Sequence, residues 1–385
     1  MKRHFWLLPL LLFSLISLTG EVINERFDLV DFEVYFRTAE RMLEGAEIYR
    51  IESDGHFVYK YAPSAALYFL PFLIVGFGLS KWLFWALLTA ALAWGLREML
   101  SMLGKDKSDK TVNAAIFFSM LAVVPHIHLE WHLGQVNMLL MVLFIALIKA
   151  YQLDRQKLLG VLLGASLFVK PFGLVFLPYL LVKKRFQALI YTIIATLIIG
   201  FLPFIFYPSW TAFVGLYGSW MVELQIELAS KQDLFANANH TIFSVLARFT
   251  PIQYLLAEGL AQKIYQVIIL AIMGLAFLKY IQLGQDKPRA AVGEWALLSA
   301  WIPILAFTSQ NAFIYTLPLI VYLIFHFQEL PSWSKGLLIA GCFLIGINMY
   351  DIVGKDLHWQ LMQCSIYTFG SMLLMVVTVH LRWTK

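Results

Sequence analysis

Apolar residues run along this chain in long stretches, cut where a charge, a proline or a short polar patch interrupts them. Segmenting at those breaks leaves twelve stretches: 5–20, 79–101, 111–127, 137–151, 158–169, 171–182, 186–207, 264–282, 294–307, 312–327, 336–350 and 361–381. A helix crossing a bilayer core needs roughly 20 apolar residues, fewer where neighbours or local thinning help. The pattern therefore predicts an all-α polytopic membrane protein of about 12 transmembrane helices with both termini on one side. Stretches 158–169 and 171–182 would each reach about 18 Å at 1.5 Å per residue, too short to cross alone. They predict a re-entrant hairpin with Lys170 and Pro171 at its tip, tolerated where it lines a cavity in protein. Segment 62–78 is apolar but carries Pro63 and Pro71, and is expected to dip into the membrane.

Two stretches break the apolar rhythm, 21–61 and 208–263. They are expected to be extracytoplasmic loops carrying the active site, on a single integral membrane domain spanning 1–385. In the first, Phe32, Tyr35, Ala39, Met42, Leu43 and Ala46 recur at helical spacing, with Glu33, Arg37, Glu40, Arg41, Glu44 and Glu47 opposite. That spacing predicts an amphipathic helix on the outer membrane surface.

Composition agrees: of 385 residues 60% are hydrophobic and 14% charged, with mean hydropathy +0.73, which excludes a soluble protein. The net charge of +5 brings no basic cluster larger than Lys183-Lys184-Arg185. That triplet follows an apolar run and reads as a topology signal, not a nucleic-acid patch. With the N-terminus in the cytoplasm the inner loops are net basic and the outer loops net acidic, so both termini are expected to be cytoplasmic. The opening MKRHFWLLPLLLFSLISLTG lacks a convincing Ala-x-Ala site and reads as an uncleaved first helix. Cys342 and Cys364 lie in apolar stretches without CxxC spacing, which supports neither a disulfide framework nor a zinc site. There is no P-loop, GxSxG, GxGxxG or DxD, so nucleotide chemistry is not expected and no cofactor is implied.

The residues with chemical potential each have a bland alternative. Asp28 and Asp31 stand at the start of the amphipathic helix, where a carboxylate caps free N–H groups or takes a proton from a substrate hydroxyl. In HIHLEWHLGQVN, His126, His128, Glu130 and His132 could hold a metal, but the alternation suits an extended segment and interfacial histidines are common. Gln135 and Asn137 either cap a helix or bind a sugar hydroxyl. Lys170 either meets a lipid phosphate or snorkels to the interface. Asn237, Asn239, His240 and Thr241 precede Arg248, a residue that grips phosphate or anchors at the interface. Ser309, Gln310 and Asn311 interrupt an apolar run as a turn would. Trp210, Tyr217, Trp220 and Tyr254 offer faces for sugar stacking or belong to an interfacial belt.

The blocks DFEVYFRTAERMLEGAEIY, YKYAPSAALYFLPF, HLGQVNMLLMVLFIAL, LLGVLLGASLFVKPFGLVFLPYLLVKKRF, NANHTIFSVLARF and TSQNAFIYTLPL, in this order, resemble glycosyltransferase family 87. These are polyprenol-phosphate-mannose-dependent mannosyltransferases of the GT-C superfamily. The resemblance implies a GT-C-like helical bundle and inverting transfer of a hexose, mannose in the family, from a polyprenyl-phosphate sugar to a glycan or glycolipid on the outer face. It implies Asp31 as base, in the match to the family's Asp-x-x-x-Tyr that Tyr35 completes, and Tyr61 in the Tyr-x-Pro match, while Asp28 stays a substrate-binding candidate from its position alone. Gln135 and Asn137 fall in the Gly-Gln-x-Asn match, Lys170 matches the family lysine, and Asn239, Thr241 and Arg248 match its Asn-x-Ser and downstream arginine. Ser309, Gln310, Asn311 and Ala312 stand where relatives often carry Trp-x-His-His, a departure bearing on sugar and acceptor. A polytopic transporter or lipid-linked flippase is the rival reading; it should show inverted repeats with broken helices in matching halves, whereas the hairpin occurs in one half.

Overall fold

The computed structural model describes residues 4–55, 58–104, 108–230, 233–237, 239–256, 259–283 and 290–383; Lys2 and Arg3 of the basic opening lie outside them. No β-strand occurs among the described residues. In chain order the α-helices are α1 Leu7–Ile23, α2 Val30–Leu43, α3 Gly76–Leu103, α4 Asp109–Ala122, α5 Val124–Leu133 and α6 Asn137–Gln152. There follow α7 Gln156–Val169, α8 Leu177–Val182, α9 Phe186–Phe201, α10 Trp210–Ser230, α11 Ile242–Phe249 and α12 Leu260–Gln282. The last six are α13 Ala290–Leu305, α14 Leu317–Phe325, α15 Ser332–Gly346, α16 Tyr350–Val353, α17 Lys355–Gln363 and α18 Ile366–Trp383.

Among the described residues, Pro63–Leu103, Phe186–Ile205, Leu260–Gln282 and Ile366–Trp383 are long and apolar enough to cross a bilayer alone. The pair α4 and α5, bent by 64°, makes a fifth such stretch, and seven shorter apolar helices of 10–17 residues complete the set. Each of the twelve apolar runs thus has a helical counterpart, and the chain is an all-α polytopic membrane protein. The outward faces match lipid: on α9, Ile193 and Ile198 are 61% and 59% exposed.

Three local expectations are corrected. The HIHLEWHL run is helical, not extended: Pro125 sits in the first turn of α5, where its missing N–H costs nothing. On α2, Leu43 is exposed and the buried face runs instead through Phe32, Tyr35, Phe36, Thr38, Ala39 and Met42. The segment 208–263 is not an open loop, since it contains α10 and α11. Residues 63–75 wind as a 3-10 helix with Pro63 and Pro71 and lead into α3 at Gly76.

Two compact units interleave in sequence. One comprises 7–98 and 128–232. Its tightest seam joins α7 to α9, where a Cβ on Gly160 would lie 2.3 Å from the Ala188 carbonyl and one on Gly164 2.9 Å from the Thr192 carbonyl. Small residues at this four-residue spacing let two helix backbones touch in lipid. The other unit comprises 1–6, 99–127 and 233–385. In it α15 meets α18 through Gly341 and Gly370, and Glu294 receives Arg382 at 2.8 Å, both side chains buried.

Candidate functional site

The 7–98/128–232 unit gathers seven of the ten sequence-predicted residues. Asp31 lies one residue into α2. The helix is preceded by Leu29 at φ 50, and no side chain among the described residues caps it. The capping alternative for Asp28 and Asp31 is therefore rejected. Asp28 is exposed. Asp31 is partly buried, and its Oδ2 accepts from Gln135 Nε2 at 2.7 Å.

Gly134 makes that contact attainable. It adopts φ +67, and a Cβ on it would lie 2.7 Å from Phe32 Cβ and 3.0 Å from Leu29 Cβ. Only glycine suits both the left-handed conformation and the close approach. The turn between α5 and α6 thus presses on the start of α2 and delivers Gln135. The Gln135 Oε1 accepts from the Tyr35 hydroxyl at 3.0 Å and the Tyr61 hydroxyl at 3.2 Å, and those hydroxyls are 2.9 Å apart.

Next to this lies a second group. Asn137, fully buried at the first position of α6, accepts from Lys170 Nζ at 2.7 Å through Oδ1 and donates through Nδ2 to Glu130 Oε1 at 2.7 Å. Lys170 Nζ also stands 5.6 Å from the Tyr61 ring centroid, a cation–π distance. Lys170 ends α7 because Pro171 follows it, which forces the residue before it into the extended conformation seen, φ −146 and ψ 133. The strand of chain bearing Tyr61 is tied in by Ala62 N–H to the Phe168 carbonyl at 3.1 Å and by the Tyr49 hydroxyl to the Tyr61 carbonyl at 2.7 Å. The expected tip of a short hairpin, Lys170, thus faces the amides of the α5–α6 turn.

Burial raises the Asp31 carboxyl above its ordinary range, against the opposing pull of Lys170, Gln135, Lys60 and His132. Burial likewise pushes the Tyr35 and Tyr61 phenols up, so both remain neutral hydrogen-bond donors. The arrangement is a carboxylate that holds a proton more firmly than a free one, lined by two phenols and an amide, with an ammonium beyond. It can accept a proton from a hydroxyl and meet an anion.

The histidines have other partners. Glu21, buried, receives His132 Nδ1 at 2.8 Å and faces His128 Nε2 at 3.6 Å and Arg26 at 3.5 Å. His126 Nε2 lies 3.1 Å from the Ile345 carbonyl in the other unit's own packing. Among the described residues no group of three His, Cys, Asp or Glu could hold a metal.

Asn239, Arg248 and Asn311 belong to the 99–127/233–385 unit. Asn239 Oδ1 accepts from the Thr241 N–H and hydroxyl at 3.0 and 2.7 Å, and Thr241 caps α11 by accepting from Ser244 N–H. Arg248 donates to Ser244 Oγ at 3.1 Å, to the Gln363 and Asn239 carbonyls at 3.0 and 3.2 Å, and to Ser365 Oγ. Those acceptors are all uncharged. His240 beside it is pushed down to about 4, by burial first and by Arg248 second. Asn311 is buried and accepts from the Ser309 hydroxyl within the turn. Of the aromatics, Trp210 and Tyr254 are exposed, while the Tyr217 hydroxyl donates to the Gly200 carbonyl at 2.6 Å and meets Ser64 Oγ at 3.0 Å.

A family model described as glycosyltransferase family 87 matches residues 59–307, which takes in Tyr61, Gln135, Asn137, Lys170, Asn239 and Arg248 and leaves out Asp28, Asp31, Tyr35 and Asn311. An alpha-(1->3)-arabinofuranosyltransferase of Corynebacterium glutamicum is 28% identical over 221 residues, 54% of this chain and 50% of that protein. The chain thus spans half the length of that relative. A crystal structure of ArnT from Cupriavidus metallidurans bound to undecaprenyl phosphate aligns with 94% of this chain and 77% of that one, at 12% identity and a TM-score of 0.37.

Proposed function

From the premise that the chain belongs to glycosyltransferase family 87, we propose that it is a membrane hexosyltransferase using a polyprenyl-phosphate sugar, with mannose the sugar the family favours, and that Asp31 is its base. The donor is a lipid, which explains a site built on a helical bundle. An acceptor hydroxyl attacks the anomeric carbon as its proton passes to Asp31; the bond from that carbon to the phosphate oxygen breaks with its electrons, and polyprenyl phosphate leaves. Configuration at the anomeric carbon inverts. Lys170 offsets the charge that builds on the departing phosphate, where a fixed cation stabilises the transition state more than the ground state. Tyr35, Tyr61 and Gln135 hold the base and the sugar hydroxyls, Asn137 holds Lys170 in place, and Asp28 stands at the substrate's edge. In this reading the active site is extracytoplasmic, both termini are cytoplasmic, and the segment 21–61 borders the site.

The observation that carries this reading is the 2.7 Å bond from Gln135 to Asp31. It spends the amide on orienting a partly buried carboxylate that caps nothing. The family weighs against the transporter or flippase. The arabinofuranosyl relative favours a second reading of the sugar, a pentofuranose on the same type of carrier. Purified protein given labelled polyprenyl-phosphate mannose, or its arabinofuranose counterpart, and a membrane extract distinguishes the two by which label enters glycan or glycolipid. Carrier movement across the bilayer without transfer of either sugar overturns the transferase.

A further inference from the structure

Glu130 sits on α5 with no exposed surface, and both its oxygens serve the beginning of α6. Oε1 accepts from Asn137 Nδ2 and Oε2 from the Met138 backbone N–H, each at 2.7 Å. That N–H is among the donors a helix start leaves unpaired, so the carboxylate caps α6 from the preceding helix. It also decides which way the Asn137 amide faces. An NH2 group must meet the carboxylate, so the amide oxygen turns the other way, and there Lys170 Nζ donates at 2.7 Å.

We infer that Glu130 is a positioning residue: a carboxylate–amide–ammonium chain from Glu130 through Asn137 to Lys170 fixes the ammonium where the donor phosphate arrives. This rests on the reading of Lys170 as a phosphate-binding group. A flipped Asn137 would present its NH2 to the ammonium, two donors face to face, and Lys170 would lose its bond to the Asn137 oxygen. The bulk of the side chain matters less than the polarity of the chain, and polarity can be reversed while shape is kept. In a Glu130→Gln, Asn137→Asp double variant, the amide introduced at 130 donates to the carboxylate introduced at 137. The new amide oxygen still accepts from Met138 N–H, and Lys170 meets a carboxylate oxygen.

The test measures binding of geranylgeranyl phosphate to the purified full-length protein in detergent, alongside donor KM and kcat. Lys170→Met should weaken binding, and Glu130→Gln should weaken it about tenfold or more, with kcat falling more than donor KM rises. Asn137→Asp alone, which sets a second carboxylate against that of Glu130, should also weaken it. The double variant should bind within about threefold of the native protein, and in the Lys170→Met background Glu130→Gln should add nothing. Should Glu130→Gln fail to fold, the comparison of Asn137→Asp with the double variant decides. Native affinity in Glu130→Gln, or a double variant no better than Asn137→Asp, overturns the inference while leaving Lys170 its role. Native affinity in Lys170→Met overturns that role and the inference with it.

Discussion

Gln135 and Asp31, 104 residues apart in sequence, meet at 2.7 Å with the amide nitrogen donating to the carboxylate. Asp31→Asn keeps the size but removes the proton acceptor, and it sets the new amide against the Gln135 amide. Turnover should fall by a factor of about 10² to 10⁴ while the protein elutes from gel filtration in detergent as the native one does. Near-normal turnover would leave Asp31 without a catalytic part and turn attention to the exposed Asp28.

Because burial raises the Asp31 carboxyl, the acid limb of the rate profile should lie above the ordinary carboxylate range. Activity requires the ionised form and is lost as pH falls through the raised value. Stability runs the opposite way at this group: the fold penalises the charged carboxylate, so its contribution worsens as pH rises through the same value and recovers below it. Opposed trends in kcat/KM and in thermal stability over that window check both signs, and removal of the stability trend in Asp31→Asn assigns it.

Lys170→Met should depress turnover more than it depresses thermal stability, as expected when a cation acts on developing charge. The loss should be about tenfold or greater, read from steady-state rates with a polyprenyl-phosphate sugar. A rate equal to that of the native enzyme would remove phosphate recognition from Lys170.

Gly134→Ala asks an L-residue to hold φ +67 and to put a Cβ 2.7 Å from that of Phe32. The cost should be about 1–3 kcal/mol of stability, and Gln135 should shift away from Asp31. A drop in melting temperature with loss of turnover is the expected pair of results. A variant of native stability and rate would show that the turn relaxes without moving Gln135.

Much of the fold was legible because lipid selects composition: each apolar run became a helix. The network around Asp31 was legible as a set of residue types in a recognisable order, but not as a geometry. Asp31 looks like a cap locally, and what denies it that role is the αL backbone of Leu29 and a partner on α6's approach, neither of which has a local sequence signal. Glu130 was hidden in HIHLEWH, whose alternation suggested a strand. Taken as helical, the same run places Glu130 four residues from His126 and toward the coming α6. The helix α10 was masked by its polarity, since Glu223 and Glu227 make it read as loop until their partners Arg50 and Lys60 are seen.

The glycine seam between α7 and α9 has a bearing on length. With its backbone locked against α9 at Gly160 and Gly164, α7 cannot slide along its neighbour to absorb a change, so its remaining residues act as a ruler that sets the depth of Lys170. One residue inserted between Gly164 and Lys170 would advance the ammonium by about 1.5 Å and swing it by about 100° round the helix axis. At that offset it would miss the Asn137 oxygen altogether. This stretch should therefore tolerate changes of side chain far better than changes of count.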